Sequence, residues 1–174
     1  MKHLSKFEIK SLLSKVPKEW QRLMLLVTYY HGLRISETLS LEKEDIRDGF
    51  ISVQRLKGSL KTVQPYIIND DPELDESKRL SELYHILKPK EKLFPITRFG
   101  VHKLIQSAGS KAGIPKHLLH AHALKHSIAM QTIHTAGIEN VRQWLGHRSI
   151  ASTGEYLRVS DEEAAKHVAA AMRI

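Results

Sequence analysis

Four short stretches hold side chains that could carry chemistry. HGLRISETLSL sets Arg34 between two helical patterns, and LKGSLK sets Lys57 and Lys61 in a polar, glycine-containing turn. HAHALKHS carries His120, His122, Lys125 and His126, and WLGHRSIASTGEYL carries His147 and Tyr156. A guanidinium grips paired oxygens, an ammonium or imidazole donates to one, and a tyrosine hydroxyl attacks once it loses its proton. Taken singly, each has an ordinary explanation. Arg34 has Glu37 as a nearby carboxylate, a hairpin lysine is commonly solvated, and a tyrosine near a helix end commonly packs with its hydroxyl at the surface. His122 and His126 are four apart, on one helical face, which also permits a metal pair. The zincin pattern H-E-x-x-H, however, needs a glutamate where this chain has Ala123, and a third ligand is found only among other histidines such as His117 or His120. No metal site is assigned.

The elements that must hold these residues are mostly helical. Ser5 and Glu8, in capping-box spacing, predict a helix through IKSLLSKV. Pro17 opens a nearly all-apolar helix that Gly32 stops, and Ser36 is placed to cap a short third helix. FISVQRL and TVQPYII read as two strands around KGSLK, the one β-rich region. NDDPELDE reads as an acidic loop tolerant of insertion. Helices resume at SKRLSELYHILK, RFGVHKLIQSAGSKAG, HALKHSIAMQTIHTAG and IENVRQWLG, and SIASTGEYL begins another. A last, alanine-rich helix follows with Ser160 as its cap. The expected class is α+β, mainly α-helical, with a small antiparallel sheet.

Composition narrows the setting. The 174 residues suffice for one domain with a real core, 1–174, and show no linker or internal repeat. The absence of cysteine excludes disulfides and thiolate metal sites. No apolar run approaches the ~20 residues of a membrane span, and the N-terminus lacks a signal-peptide pattern, so a soluble, cytoplasmic protein is expected. Lys plus Arg number 27 against 19 acids, a net charge of +8 that favours a polyanionic partner, most often nucleic acid.

In order and spacing, the four stretches resemble the tyrosine recombinase (phage integrase) family. Its catalytic domain carries an Arg in a T-G-L-R-x-S-E-L segment, a Lys in a β-hairpin, H-x-L-R-H, L-G-H, and a nucleophilic Tyr nine residues beyond. Here these match HGLRISETLSL, LKGSLK, HALKH, LGH and Tyr156, which lies nine past His147. The resemblance covers essentially the whole chain. It implies strand cleavage and rejoining of DNA through a covalent 3′-phosphotyrosine, with no metal, ATP or other cofactor. Arg34, Lys125 and His147 would hold the phosphate. His122 would serve the tyrosyl proton, with His126 as a buried structural residue. Lys57, preferred over Lys61 because it precedes Gly58, would protonate the leaving 5′-oxygen. The partners implied are double-stranded DNA carrying a specific site and further protomers, as a tetramer on synapsed DNA, with VAAAMRI available to dock. The family's N-terminal DNA-clamping domain is expected to be absent, leaving Arg55, Lys61, Lys103, Lys116 and Arg148 as candidate backbone contacts.

One residue departs from the pattern. Lys125 stands where the family has Arg; it keeps the charge and loses the planar fork. Loss of one preorganised donor can cost ~3 kcal/mol of transition-state stabilisation. An active recombinase is the expectation. A DNA-binding protein with impaired catalysis, a relaxase resembling type IB topoisomerases and a metal-binding helical domain are the alternatives.

Overall fold

A helix that is apolar on nearly every side must lie inside the molecule, and α2 (Glu19–Tyr30) does. Leu23 through Tyr29 are all buried. In the computed structural model, which describes residues 3–56, 58–157 and 168–172, α2 lies between α1 (Lys6–Ser14) and α6 (Ala121–Ala136). α5 (Arg98–Lys111) packs on both α1 and α6. Met24, Leu25, Leu26, Leu33, Ile105 and Leu124 are among the fully buried side chains at this centre. Lys57 and the expected Ser160 cap lie outside the described residues.

The capping box at α1 forms as its spacing predicts: Ser5 Oγ accepts from Glu8 N at 3.2 Å, and the Glu8 carboxylate accepts from Ser5 N at 2.8 Å. The residue before it is tied far along the chain. Leu4 N donates to Ser127 Oγ at 2.8 Å, and Gln131 donates to Leu4 O at 2.7 Å. α3 (Ile35–Ser40) starts just before the expected cap: Ser36 lies inside it, and the Glu37 carboxylate accepts from Arg34 N at the helix entry, 2.8 Å away.

The sheet has three antiparallel strands rather than two: β1 (Ile46–Arg47), β2 (Phe50–Val53) and β3 (Thr62–Pro65), in that order. Ile51 and Val53 point inward and Phe50 outward, and this period-two alternation continues past β2 to put Arg55 inside. Opposite them Thr62 and Gln64 also point inward, so the buried face of the sheet is partly polar. α4 (Ser77–Ile86) covers β1. The acidic segment before α4 is not the loose loop expected. Its last residue, Glu76, is fully buried; Oε1 accepts from Ile67 N at 2.8 Å and meets His31 Nε2 at 2.7 Å. His31 Nδ1 in turn bonds Gln64 at 2.9 Å.

The expectation that Arg55 touches DNA fails. Its side chain is wholly buried, and each of its nitrogens has a partner. Nε donates to Thr62 at 3.0 Å, Nη1 to Gly32 O at 3.0 Å, and Nη2 to His31 O and Trp144 O, both at 2.9 Å. Nη1 also lies 3.4 Å from Glu37. Arg55, which the sequence reading put within the strand FISVQRL, lies two positions past the end of β2, and the alternation carries it inward. Arg55 therefore joins the end of α2, the sheet and α7 (Ile138–Leu145) at one point.

Removing one partner of a buried ion pair leaves the other uncompensated. Arg55→Met is expected to cost about 3–5 kcal/mol in urea unfolding. Arg55→Lys, which keeps the charge and loses the fork, is expected to recover less than half of that; full recovery would mean the fork is not what matters.

Candidate active site

A polar cleft of about 430 Å³ opens between the start of α3, the turn after β2, α6 and the segment after α7. Arg34, His122, Lys125, His126, His147 and Tyr156 line it, with Ser59, Ser149 and Ser152. Five of the six residues expected to do chemistry are thus brought together from three separate stretches. The sixth, Lys57, lies outside the described residues; its neighbours Gly58 and Ser59 are at the cleft wall.

Glu37 positions the arginine. Arg34 Nη1 donates to Glu37 Oε1 at 2.8 Å and to Leu56 O at 3.3 Å, and the partly exposed guanidinium faces the cleft. Glu37 itself is fully buried and also accepts from Leu56 N at 3.0 Å. Burial alone would raise its pKa. The N–H groups of Leu56 and Arg34 and the charges of Lys125 and Arg55 outweigh burial and hold it below the ordinary value.

Gly146 positions His147. It ends α7 in a left-handed conformation, φ 69°, and its carbonyl accepts from Leu60 N at 2.8 Å. A Cβ there would sit 2.7 Å from Leu60 O and 3.0 Å from Arg55 Cγ, so the turn returning from β2 can press against the helix end only at glycine. Gly32, at φ 58°, is pressed in the same way, since a Cβ would fall 2.4 Å from Leu145 Cδ2. His147 Nδ1 is 2.9 Å from Thr153 Oγ1 of α8 (Ala151–Gly154). Burial, then Lys125, Arg34 and Arg55, lower the His147 pKa to about 4, so the ring is neutral at neutral pH.

Tyr156 is buried, 4% exposed, and packs with Ala129, Ile133, Val141 and Leu145. Its hydroxyl lies 2.9 Å from His126 Nδ1. His126 is half-buried and lines the cleft, rather than buried as expected. His122 is exposed and meets His126 edge to face, with ring centroids 4.3 Å apart at 90°. His120, expected in a loop, caps α6, its Nδ1 accepting from Ala123 N at 3.1 Å. Burial, and then Glu155, push the Tyr156 pKa up to about 12 against the opposing charge of Arg34.

Lys125 is the most exposed to electrostatic cost and the least to water. It is 3% exposed, and its Nζ has no hydrogen-bond partner among the described residues. Burial, then Arg55, depress its pKa to about 7; Glu37 opposes them and Arg34 adds to them. A buried, unpartnered amine at the wall of a cleft suits an anion that enters from outside. Of the surface cations, Lys61, Lys103, Lys116 and Arg148 are exposed as expected, Lys103 with its Nζ 4.6 Å from the Phe99 ring centroid and Arg148 on the cleft itself.

Sequence reasoning named Glu37 only as an ordinary partner for Arg34, and did not place Thr153 or the contact from His126 to the tyrosine. Glu37 carried a signal in its spacing of three from Arg34. Thr153 carried none that distinguishes it from any other threonine.

Comparison with known proteins agrees with this geometry. The model of the phage integrase family matches residues 2–163. The tyrosine recombinase XerA of Pyrococcus furiosus is 34% identical over 187 aligned positions, covering 96% of this chain and 59% of the relative. XerD of Staphylococcus saprophyticus is 30% identical over 168, covering 88% and 55%. The chain thus spans less than two thirds of the length of these relatives. Among solved structures, the XerA recombinase superposes with a TM-score of 0.74 at 22% identity, over 100% of this chain and 64% of the neighbour. The catalytic domain of bacteriophage HP1 integrase superposes at 0.67 and 22% identity, over 97% of this chain and 94% of that domain. The fold is that of tyrosine recombinase catalytic domains.

The depressed Lys125 pKa has a thermodynamic sign. The unfolded chain keeps this lysine charged to about 10.5 and the folded chain only to about 7, so the unfolded state binds more protons between those values. Stability rises with pH across that window, and the penalty is complete below it. Lys125→Met is expected to raise Tm most at about pH 6, with the gain shrinking towards about pH 10. Thermal melts of both proteins across that range check it; a pH-independent gain contradicts the depressed pKa.

Proposed function

The chain belongs to the phage integrase family, and from that premise we propose that it is the catalytic part of a site-specific DNA recombinase that acts through Tyr156. The Tyr156 oxygen attacks a scissile phosphodiester, forms a 3′-phosphotyrosine bond and releases a 5′-hydroxyl. A second 5′-hydroxyl then attacks that bond and restores the strand. The bond energy stays in the protein–DNA link, so the scheme needs no nucleotide or metal. The observation that carries the proposal is one of placement: a tyrosine hydroxyl shares a cleft with Arg34, Lys125 and His147.

Each group has a role in that scheme. Charge gathers on the non-bridging oxygens as phosphorus is attacked, and fixed donors aimed at them lower the barrier. Arg34, held by Glu37, supplies guanidinium donors. Lys125 supplies an ammonium that a bound phosphate keeps protonated. The neutral His147 donates from Nε2 when Thr153 donates to its Nδ1. Lys57 protonates the departing 5′-oxygen. The exposed cations Lys61, Lys103, Lys116 and Arg148 attract the duplex backbone, and that attraction weakens steeply with salt. The solved XerH relative was crystallised on its difH substrate. By the same reading this chain acts on duplex DNA at a defined site, and it assembles with further copies because exchange joins two duplexes.

A second reading rests on Lys125, the residue that departs from the family pattern. A lysine cannot grip two phosphate oxygens as an arginine does, and the chain would then bind DNA with weakened chemistry.

The test uses a pool of nicked suicide duplexes with randomised arms. The protein is expected to form a denaturant-resistant adduct that survives EDTA and disappears in Tyr156→Phe, and sequencing of the captured strands gives the site. Arg34→Ala is expected to slow single-turnover adduct formation by about 10²–10³-fold. Tight binding with no adduct from any duplex favours the second reading, as does a rise in rate in Lys125→Arg.

A further inference from the structure

We infer that His126 is the group that takes the proton of Tyr156 on strand cleavage and returns it on rejoining, with His122 as the residue that positions it. The inference rests on the recombinase reading above. It starts from contact: His126 Nδ1 is the atom 2.9 Å from the tyrosine oxygen, within the reach a proton acceptor needs. The two rings are tilted at 55°, with centroids 5.6 Å apart, so the bond is made at the rim of the imidazole, where its lone pair lies.

The surroundings suit the role. Burial, then the facing His122, Lys125 and His120, lower the His126 pKa to about 4 and keep its ring neutral. A neutral ring whose Nδ1 accepts from the tyrosine carries its own proton on Nε2. Among the described residues, the other charged or titratable groups around the cleft are Arg34, His147, Arg148 and Glu155. A phosphodiester entering among these cations offsets their field. It thereby raises the basicity of His126 at the moment the tyrosine must lose its proton. His122 supports the ring from one side only, edge to face, which fixes its plane without occupying Nδ1.

The step balances. The Tyr156 O–H bond breaks as its proton passes to His126 Nδ1, and the tyrosine oxygen forms a bond to phosphorus. The phosphorus–O5′ bond breaks with its electron pair going to O5′, which takes a proton from the Lys57 ammonium. On rejoining, the attacking 5′-hydroxyl gives its proton to the Lys57 amine, and the His126 imidazolium protonates the departing tyrosine oxygen.

The experiment uses a duplex captured from the randomised pool and measures single-turnover adduct formation. His126→Gln keeps a hydrogen-bonding side chain that cannot take a proton, and is expected to slow cleavage by on the order of 10²-fold. His126→Ala is expected to be slowed as much and to be rescued by added imidazole, with the rescue growing as more basic imidazoles are used. A purely structural histidine gives no graded rescue. His122→Ala is expected to lose less and to respond to imidazole not at all. In ¹⁵N spectra of the unliganded protein, Tyr156→Phe is expected to shift His126 Nδ1. An unchanged rate in His126→Gln, absent rescue, or an unmoved Nδ1 overturns the assignment while leaving the recombinase reading intact. Failure of the unaltered protein to form any adduct overturns that reading, and this assignment with it.

Discussion

Glu37 is the anion that three cations share. Arg34 and Arg55 both reach its carboxylate, and the charge of Lys125 acts on it from α6. Two lysine- or arginine-bearing segments far apart in sequence could not be buried side by side without such a counter-charge, because like charges in a dry interior repel strongly. Glu37 is itself held by two backbone N–H groups, so its position is set by the entry to α3 and the turn after β2. The two motif glycines belong to the same arrangement. Gly32 supplies a carbonyl to Arg55, and Gly146 leaves room for its methylenes. The clamp, the hairpin base and the turn that carries His147 are thus parts of one unit.

That unit accounts for the balance of rigidity and stress in the cleft. Arg34 and His147 have partners that fix them before any ligand arrives, as preorganised electrostatic catalysis requires. Lys125 has none among the described residues and pays for its burial with lost basicity. The stress is concentrated on the residue that departs from the family pattern. An arginine there would stay charged whatever its surroundings; a lysine can give up its proton, so the cluster carries less repulsion than its composition suggests.

Much of this was legible from the chain. Capping at Ser5 and Glu8, the all-round apolar α2 and the hairpin around KGSLK all follow from local patterns that tertiary packing left alone. The order and spacing of Arg34, His122, Lys125, His147 and Tyr156 brought them to one cleft as expected. What was not legible depended on side-chain direction. Arg55 looked like a surface cation although it stood within the expected strand FISVQRL, because the alternation was not followed through to the face on which its side chain falls. His126 looked structural from the resemblance alone; its four-residue spacing from His122 says which helical face the two share, not that Tyr156, just past α8, reaches it. Glu76 looked like part of a solvated acidic run, yet its carboxylate is paired with His31 in the core.

The chain order of these contacts bears on synthesis. Leu4, just ahead of α1, finds its partners Ser127 and Gln131 only after more than 120 residues have followed it, and Arg55 gains its Trp144 carbonyl only when α7 is made. Contacts of such long separation close late in folding. The clamp residue Arg34 therefore emerges from the ribosome early and stays without its site, while Tyr156 follows every other described group of the cleft. A nascent chain thus carries the first cation of the cleft well before the tyrosine that completes it. Of the described cleft groups, the chain delivers its tyrosine last.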